Sequence, residues 1–333
     1  MQHPKMPPLR YLTAAEVTRA MPDLDTRLAL AERTLIALVA DAELPPKIAI
    51  HPRPEGSFVH AMPAYLRGSD PDGGGDLVGM KWVAGYATNS GLGIPAINAL
   101  VVLNDPLSGL PVAIVDGGPI TAARTAAVSG VAIRQFAPIV SRHSRATLIG
   151  AGVQGRSHAE VIGHVLPGVD LVVFDRERER AEALAAEARL TGGIGSVAVA
   201  VDARAAVAGA DVVVTAASFG PIRQVMTSDW LSPKALVVPI DYATYCSAEV
   251  ARDADLFLVD HREQFLANRA AGLFDDYPDP TATIGEALLA RTPRPEAGRV
   301  VATHLGVGLA DLVFGDAIVR RAQELGLGVV LPR

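Results

Sequence analysis

The sequence predicts an α/β protein in which a doubly wound parallel sheet is joined to a discontinuous α+β domain. From Ala146 onward, short β-branched apolar runs alternate with alanine-rich amphipathic stretches, and strands separated by helices mean crossovers and a buried parallel sheet. The first 120 residues carry hairpin signals instead. With 333 residues, half of them hydrophobic, the chain has room for about two domains, each with its own core.

Taken in order, KIAIHPRPEGSFVHAMPAYL holds two strand-like runs around the turn signal Pro54-Glu55-Gly56, and GSDPDGGGD is a loop before the strand LVGMKWVAGY. INALVVLNDPLSGLPVAIVDG is a hairpin signature, two apolar strands about Asp-Pro-Leu-Ser-Gly. A helix follows whose apolar face is marked by Val128, Val131, Ala132 and Phe136, with Thr121 as its expected N-cap and Arg124 near its start. Six buried strands are then expected at Ala146 to Ile149, Leu171 to Phe174, Val197 to Val201, Val212 to Thr215, Leu236 to Ile240 and Leu256 to Val259. RERERAEALAAEAR and ARAAVAGA are helix formers between them. The proline-containing segment Phe265 to Arg299 shows no clear period, and Leu305 to Leu325 reads as a helix that returns to the first domain. The expected division is residues 1–120 with 300–333 against residues 121–299.

Composition excludes several classes of function. Charged residues make up 20% and the net charge is −6, so no basic field attracts nucleic acid or anionic lipid. The expected partner is a small molecule. Cys246 is the only cysteine, which gives no disulfide framework and suits a reducing compartment. The first ten residues lack the apolar core of a signal peptide and no apolar run approaches membrane-spanning length, so a cytoplasmic protein is expected. The eight histidines lack metal-ligand spacing such as HExxH, and no metal is expected.

Ala146-Thr-Leu-Ile-Gly150-Ala-Gly152-Val153-Gln154-Gly155 is a strand running into GxGxxG and then a helix. Gly150 supplies the tight turn, Gly152 lets backbone approach a pyrophosphate, and Gly155 permits close helix packing. With 31 glycines in the chain, roughly 0.3 such matches arise by chance, so context decides. Gly193-Ile-Gly195-Ser-Val-Ala198 also fits the pattern, but it precedes a strand instead of following one. The first match has the correct order, and Asp175 ends the next strand, where an acid accepts ribose hydroxyls. This is a Rossmann-type signature for a dinucleotide. Asp175 favours NAD, while the neighbouring Arg176 keeps NADP as the alternative.

Of the 30 Lys and Arg residues only Lys5, Lys47, Lys81 and Lys234 are lysines. Lys81 lies mid-strand among apolar residues, where a snorkelling side chain competes with a buried functional amine. Arg124 near a helix start is unfavourable dipole electrostatics unless an anion sits there; a structural ion pair competes with a ligand carboxylate or phosphate. Asp241 ends VVPID at the carboxyl edge of the parallel sheet, where ligands bind in such folds, and its alternative is a helix N-cap. Trp82 and Trp230 are expected in a core or an interface, and the charge run Arg176 to Glu182 on a solvated helix face.

Taken together, Met62-Pro63, Gly79-Met-Lys81-Trp, LNDPLSGLPVAIVDG, Ile120-Thr-Ala-Ala-Arg124-Thr125, LIGAGVQGRSH, Asp241 and LGVGLADLV resemble the ornithine cyclodeaminase/mu-crystallin family over nearly the whole chain. The resemblance implies an NAD(P)-dependent enzyme acting at the bond between the α-carbon and nitrogen of an amino or imino acid, and a homodimer in which the α+β domain binds substrate and dimerises. It assigns Lys81 to the substrate, Arg124 and Thr125 to a carboxylate or phosphate, and Asp241 to the substrate amine. Lys81 and Asp241 are the expected proton-handling pair, and Lys47, His60, Met62 and His304 complete the substrate set. Ala216 and Ser218 join the glycine-rich loop, Asp175 and Arg176 around the cofactor.

Departures bear on substrate. Ornithine-specific members carry Arg in place of Lys47 and Glu in place of His60, and His60 offers no fixed negative charge for a side-chain amine. Where relatives have Ser or Asn beside the nicotinamide, this chain has His304. The leading expectation is an amino acid dehydrogenase or imine reductase. A redox-neutral ornithine or lysine cyclodeaminase with bound NAD is the alternative, and a non-enzymatic small-ligand carrier is the second.

Overall fold

A computed structural model describes residues 6–68, 75–140, 143–218 and 222–333. Most of the expected GSDPDGGGD loop lies outside the described residues. In chain order the elements are β1 (Leu9–Leu12), α1 (Ala14–Arg19), α2 (Leu24–Ala40), β2 (Ala42–Glu43), β3 (Ile48–Ile50), β4 (Phe58–Leu66), β5 (Leu77–Gly85), β6 (Ile97–Asn104), β7 (Pro111–Asp116) and α3 (Gly117–Phe136). There follow β8 (Arg145–Ile149), α4 (Val153–Val165), β9 (Val169–Phe174), α5 (Arg178–Ala188), β10 (Ile194–Val199), α6 (Ala203–Val207), β11 (Val212–Thr215) and β12 (Leu236–Pro239). The remainder is α7 (Ala248–Arg252), β13 (Leu256–Val259), α8 (Arg262–Ala270), β14 (Ala282–Thr283), α9 (Ile284–Leu289), β15 (Val300–Thr303), α10 (Gly308–Glu324) and β16 (Val329–Leu331). The chain divides into two compact units, Met1–Arg124 with Val307–Arg333, and Thr125–Gly306.

The sheet of the first unit runs β16-β1-β7-β6-β5-β4-β2, with β3 also paired to β4. All its pairings are antiparallel except that of β1 with β7. The expected hairpin is β6 and β7. Its turn is set locally, because the Asp105 carboxylate accepts from the Ser108 amide at 2.8 Å and Gly109 takes φ +72°, which an L side chain resists. One face of the sheet is covered by α10, whose N-terminal half (Gly308 to Gly315) is buried all round and packs on β4, β5, β6 and α2. A helix apolar on every side belongs inside a core, and each fully buried Leu or Phe of α10 stabilises the unit by about 1.5–3 kcal/mol.

The other face keeps large apolar residues in contact with solvent. Ile48, Ala61, Trp82 and Leu100 stand in register across β3, β4, β5 and β6, and Trp82 is 44% exposed and Leu100 40%. Within this chain Trp82 is therefore not a core residue.

The second unit holds an all-parallel sheet in the order β10-β9-β8-β11-β12-β15-β13-β14. The strands β11, β12, β13 and β15 are buried at every position, as a sheet covered on both faces requires. Two strands, β14 and β15, join the six expected from the sequence. β15 lies between β12 and β13, so Leu256–Val259 is not the neighbour of Leu236–Pro239, and the sheet extends beyond residue 299 to Thr303. Val300–Thr303 follows the segment Phe265 to Arg299, which shows no clear period, so it lacks the strand–helix alternation that marks the other short strands. The second GxG is also explained. A Cβ on Gly193 would lie 2.0 Å from the Gly163 carbonyl oxygen and one on Gly195 2.6 Å from that of Gly168, so these glycines serve close backbone packing.

Candidate active site

In the second unit the strand order reverses between β8 and β11, the switch point where ligands bind in such sheets. Gly150 turns the chain there with φ +104°, and a Cβ on it would lie 2.5 Å from the Ala216 carbonyl oxygen. Gly155 must also lack a side chain, since its Cβ would come within 2.1 Å of Gly150 O. Gly152 differs: a Cβ there would meet nothing within 4 Å. Gly152 caps α4 without a side-chain hydrogen bond, and Val153 beside it is 68% exposed. The first-turn amides of a thirteen-residue helix thus open onto a cradle kept free of side chains, which fits a dinucleotide pyrophosphate. Asp175 ties the loop down, its carboxylate accepting from the Ala151 amide at 2.7 Å and the Glu177 amide at 2.9 Å. Arg176 and Ser218 are exposed, Thr125 is buried, and Gln154 and Ala216 are partly buried.

Asp241 follows β12 at the carboxyl edge of the same sheet and is 2% exposed. It is not a helix cap, since the next helix, α7, is capped by Ser247. The two residues after it, Tyr242 and Ala243, both take left-handed φ values of 52° and 60°, a conformation that costs about 1–3 kcal/mol per residue and gathers at functional sites. The Tyr242 hydroxyl donates to Leu305 O at 2.9 Å and holds this turn. Burial pushes the Asp241 carboxyl up to about 6, against the Thr215 hydroxyl and the Ala217 amide, which favour its charged form. His304 follows β15, the strand beside β12, and is 2% exposed.

In the first unit Lys81 is the central residue of β5, opposite Met62 on β4 and Val101 on β6. It is 1% exposed, so its amine does not snorkel to water. Its Nζ donates to Thr121 Oγ1 at 2.6 Å and to Asp311 Oδ1 at 2.8 Å, which leaves one of three ammonium hydrogens for a ligand. Thr121 is not an N-cap, because α3 begins four residues earlier, directly from β7, and the Thr121 hydroxyl donates to Gly117 O at 2.6 Å. Arg124 accordingly stands two turns into α3, and the anion beside it is Asp311, at 3.3 Å from its Nε. Its terminal guanidinium nitrogens still offer a forked donor pair for a carboxylate.

Asp311 was not singled out by the sequence reading. It lies in the first turn of α10, fully buried, and its Oδ2 has no hydrogen-bond partner among the described residues. The signal was a lone acid in the apolar stretch LGVGLADLV, since an acid there must be paired. Burial pushes the Asp311 carboxyl up, but the Arg124 and Lys81 charges outweigh this and hold it below its usual value. Burial drives Lys81 down to about 8, with Arg124 and Lys47 adding to the shift and Asp311 opposing it. Two buried cations against one buried anion leave the cluster a net positive charge suited to a ligand carboxylate. His60 stacks on Phe58 with ring centroids 4.5 Å apart, and burial, then Lys47, His51 and Lys81, push it down to about 4. It is a neutral imidazole at neutral pH.

The model of the ornithine cyclodeaminase/mu-crystallin family matches residues 14–299. The chain is 32% identical to the nodulation efficiency protein NfeD of Rhizobium meliloti over 97% of this chain and 98% of that protein. It is 30% identical to ketimine reductase mu-crystallin of Mus musculus over 78% of this chain and 79% of that one. In fold it is similar to the Delta(1)-pyrroline-2-carboxylate reductase of Thermococcus litoralis, solved with NADH and L-proline, with a TM-score of 0.83 and 22% identity over 96% of this chain and 99% of that one.

Proposed function

The chain belongs to the ornithine cyclodeaminase/mu-crystallin family, and on that footing we propose that it is an NAD(P)-dependent oxidoreductase of the amino acid dehydrogenase or imine reductase type. The observation that carries the reading is the buried Lys81, Arg124 and Asp311 cluster, a fixed carboxylate-binding charge. Lys81 and the Arg124 fork hold the α-carboxylate, with Lys47 adding positive potential. The bound dinucleotide supplies the two-electron acceptor or donor. Gly150, Gly152, Val153, Gln154 and Gly155 form its cradle, Thr125, Asp175, Arg176, Ala216 and Ser218 border it, and the Asp175 carboxylate favours NAD over NADP. An amine must be neutral before its α-hydrogen can leave, and Asp241, raised to about 6, accepts the ammonium proton in the oxidative direction and returns it in the reductive one. Lys81, near 8, is poised for the same exchange.

Neutral His60 gives a side-chain ammonium no counter-charge, which favours a small or apolar side chain, or a cyclic imine, over ornithine. The exposed apolar sheet face around Trp82 and Leu100 supports a homodimer. Among the described residues no helix is long and apolar enough to cross a membrane, and we place the protein in the cytoplasm. Absorbance at 340 nm tests the activity. Oxidised cofactors are tried with an amino acid panel, and reduced cofactors with cyclic imines or with 2-oxo acids and ammonia. A net change with one substrate is expected. Ammonia release from ornithine or lysine without net absorbance change would replace this reading with the cyclodeaminase cycle, and silence in both with a carrier role.

A further inference from the structure

The carboxyl edge of the parallel sheet carries a second polar network, all of it within the Thr125–Gly306 unit. Three strands that are neighbours there, β13, β15 and β12, deliver Asp260, Leu305 and Asp241 just beyond their ends. Asp260 is 3% exposed. Its Oδ1 accepts from the His261 amide at 2.9 Å, and its Oδ2 accepts from the Leu305 and Gly306 amides at 3.0 Å and 2.8 Å. Gln264, also buried, donates from Nε2 to Gly306 O at 3.1 Å, and the Tyr242 hydroxyl donates to Leu305 O at 2.9 Å.

The N–H and C=O groups of Leu305 and Gly306 are thus all held by side chains. Asp260 takes the two amides, and Tyr242 and Gln264 take the two carbonyls. A segment held in this way has its place set by the residues around it, since its buried backbone groups must be paired wherever it lies. Gly306 takes φ +74°, a left-handed conformation open to glycine. The same bonds fix Asp260 as an acid. Three amide hydrogens converge on its two oxygens, and a backbone N–H can only donate, so an Asn would turn its own NH2 group against one of them.

At the far end of this chain of bonds stands Tyr242, the residue after Asp241. Tyr242 and Ala243 are both left-handed, a conformation that persists only where its surroundings over-determine it. Here the backbone of the turn is pinned by Arg223, whose Nη1 donates to Tyr242 O at 3.1 Å, and by the Gln224 amide, which donates to Ala243 O at 3.1 Å. The Tyr242 ring packs 6.0 Å from that of Phe274, and its hydroxyl ties the turn to the ends of β15 and β13. We propose that Asp260 and Tyr242 are positioning residues for Asp241: Asp260 fixes Leu305–Gly306, the Leu305 carbonyl fixes Tyr242, and the turn so held keeps the Asp241 carboxyl buried at the ligand edge of the sheet. The consequence for turnover rests on the amino or imino acid reading above; the hold on the carboxyl does not.

The test is a carbon-13 pH titration of the full chain labelled at the aspartate carboxyls, with Asp241→Asn used to assign its signal. The wild-type Asp241 carboxyl is expected to titrate at about 6. Its titratable neighbours Tyr245, Cys246 and Tyr277 are each pushed up by burial and stay neutral there, so the signal reports Asp241 itself. Tyr242→Phe deletes one hydroxyl and is expected to bring the Asp241 carboxyl down to about 5 as water reaches it, and to lower kcat/KM about tenfold. Asp260→Asn is expected to act in the same direction, and the double variant to titrate with Tyr242→Phe, because both changes break one chain of bonds. Tyr242→Phe decides alone if Asp260→Asn does not fold. An Asp241 carboxyl still at about 6 in folded Tyr242→Phe overturns the proposal whatever happens to stability, and so does a wild-type carboxyl in the ordinary carboxylate range. If the titrations behave as stated in a protein that turns over no amino or imino acid, the positioning role stands and the activity reading falls.

Discussion

The sharpest prediction concerns Asp311→Asn, which keeps the shape of the side chain and removes its charge. Asp311 Oδ1 lies 2.8 Å from Lys81 Nζ and 3.3 Å from Arg124 Nε, with none of the three more than 7% exposed. At an effective dielectric of 20 the two attractions are about 6 and 5 kcal/mol before desolvation is subtracted, and removing one partner of a buried pair costs about 3–5 kcal/mol net. Lys81 has an escape. Already near 8, it can release its proton at pH 7 for about 1.4 kcal/mol. Arg124 cannot deprotonate and keeps an unpaired buried charge. The unfolding free energy at pH 7 is therefore expected to fall by about 3 kcal/mol, most of it through Arg124. Lys81→Met alone should also destabilise, and the double variant should be less unstable than the sum of the two by at least 1 kcal/mol, since each removes a group the other depends on. Urea titrations of the four proteins read all these values. A loss under 1 kcal/mol for Asp311→Asn, or additivity within about 0.5 kcal/mol, would show that the cluster is solvated and that the charge argument for carboxylate binding is unsound.

Three further outcomes follow from the same structure. Gly152→Ala, whose Cβ meets open space, should leave stability within about 0.5 kcal/mol and weaken NADH binding at least tenfold, whereas Gly155→Ala, 2.1 Å from Gly150 O, should lose more than about 2 kcal/mol by overpacking; thermal melts and fluorescence titration separate the two. Burial raises the Asp241 carboxyl from its ordinary 3.8 to about 6 in the folded protein, so its ionisation costs stability as pH rises from 3.8 to 6, about 3 kcal/mol in full above that range. Asp241→Asn should therefore be more stable than wild type at pH 8 but not at pH 3, with kcat/KM down by about 10²–10⁴, and loss of stability at pH 8 would contradict the assigned burial. Trp82→Glu, on the exposed sheet face, should convert a dimer to a monomer in analytical ultracentrifugation, and a wild-type monomer would remove the dimer proposal.

How far the sequence could be read depended on whether a residue's meaning was local. The glycine-rich loop was legible because three glycines, a preceding strand and an acid twenty residues on are spaced along one stretch of chain, and Gly150 and Gly155 do sit where any Cβ would collide. The hairpin at Asp105 was legible for the same reason, its turn chemistry lying within five residues. Lys81 could be singled out only as an anomaly, a lysine in an apolar strand of an arginine-rich chain; its partners are 40 and 230 residues away and leave no spacing to find. The error at Thr121 shows the same limit from the other side. A Thr before a helical pattern reads as a cap, yet α3 runs on directly from β7 and starts at Gly117, because the strand delivers the chain already aligned and the side chain is taken by Lys81 instead. β15 escaped since the place of a four-residue strand in a parallel sheet is decided by neighbours on β12 and β13. Asp311 belongs to this class too. It is an ordinary polar residue in an apolar helix, and its role follows only from the rule that a buried charge must find a partner. That rule says a partner exists, and only the fold says which.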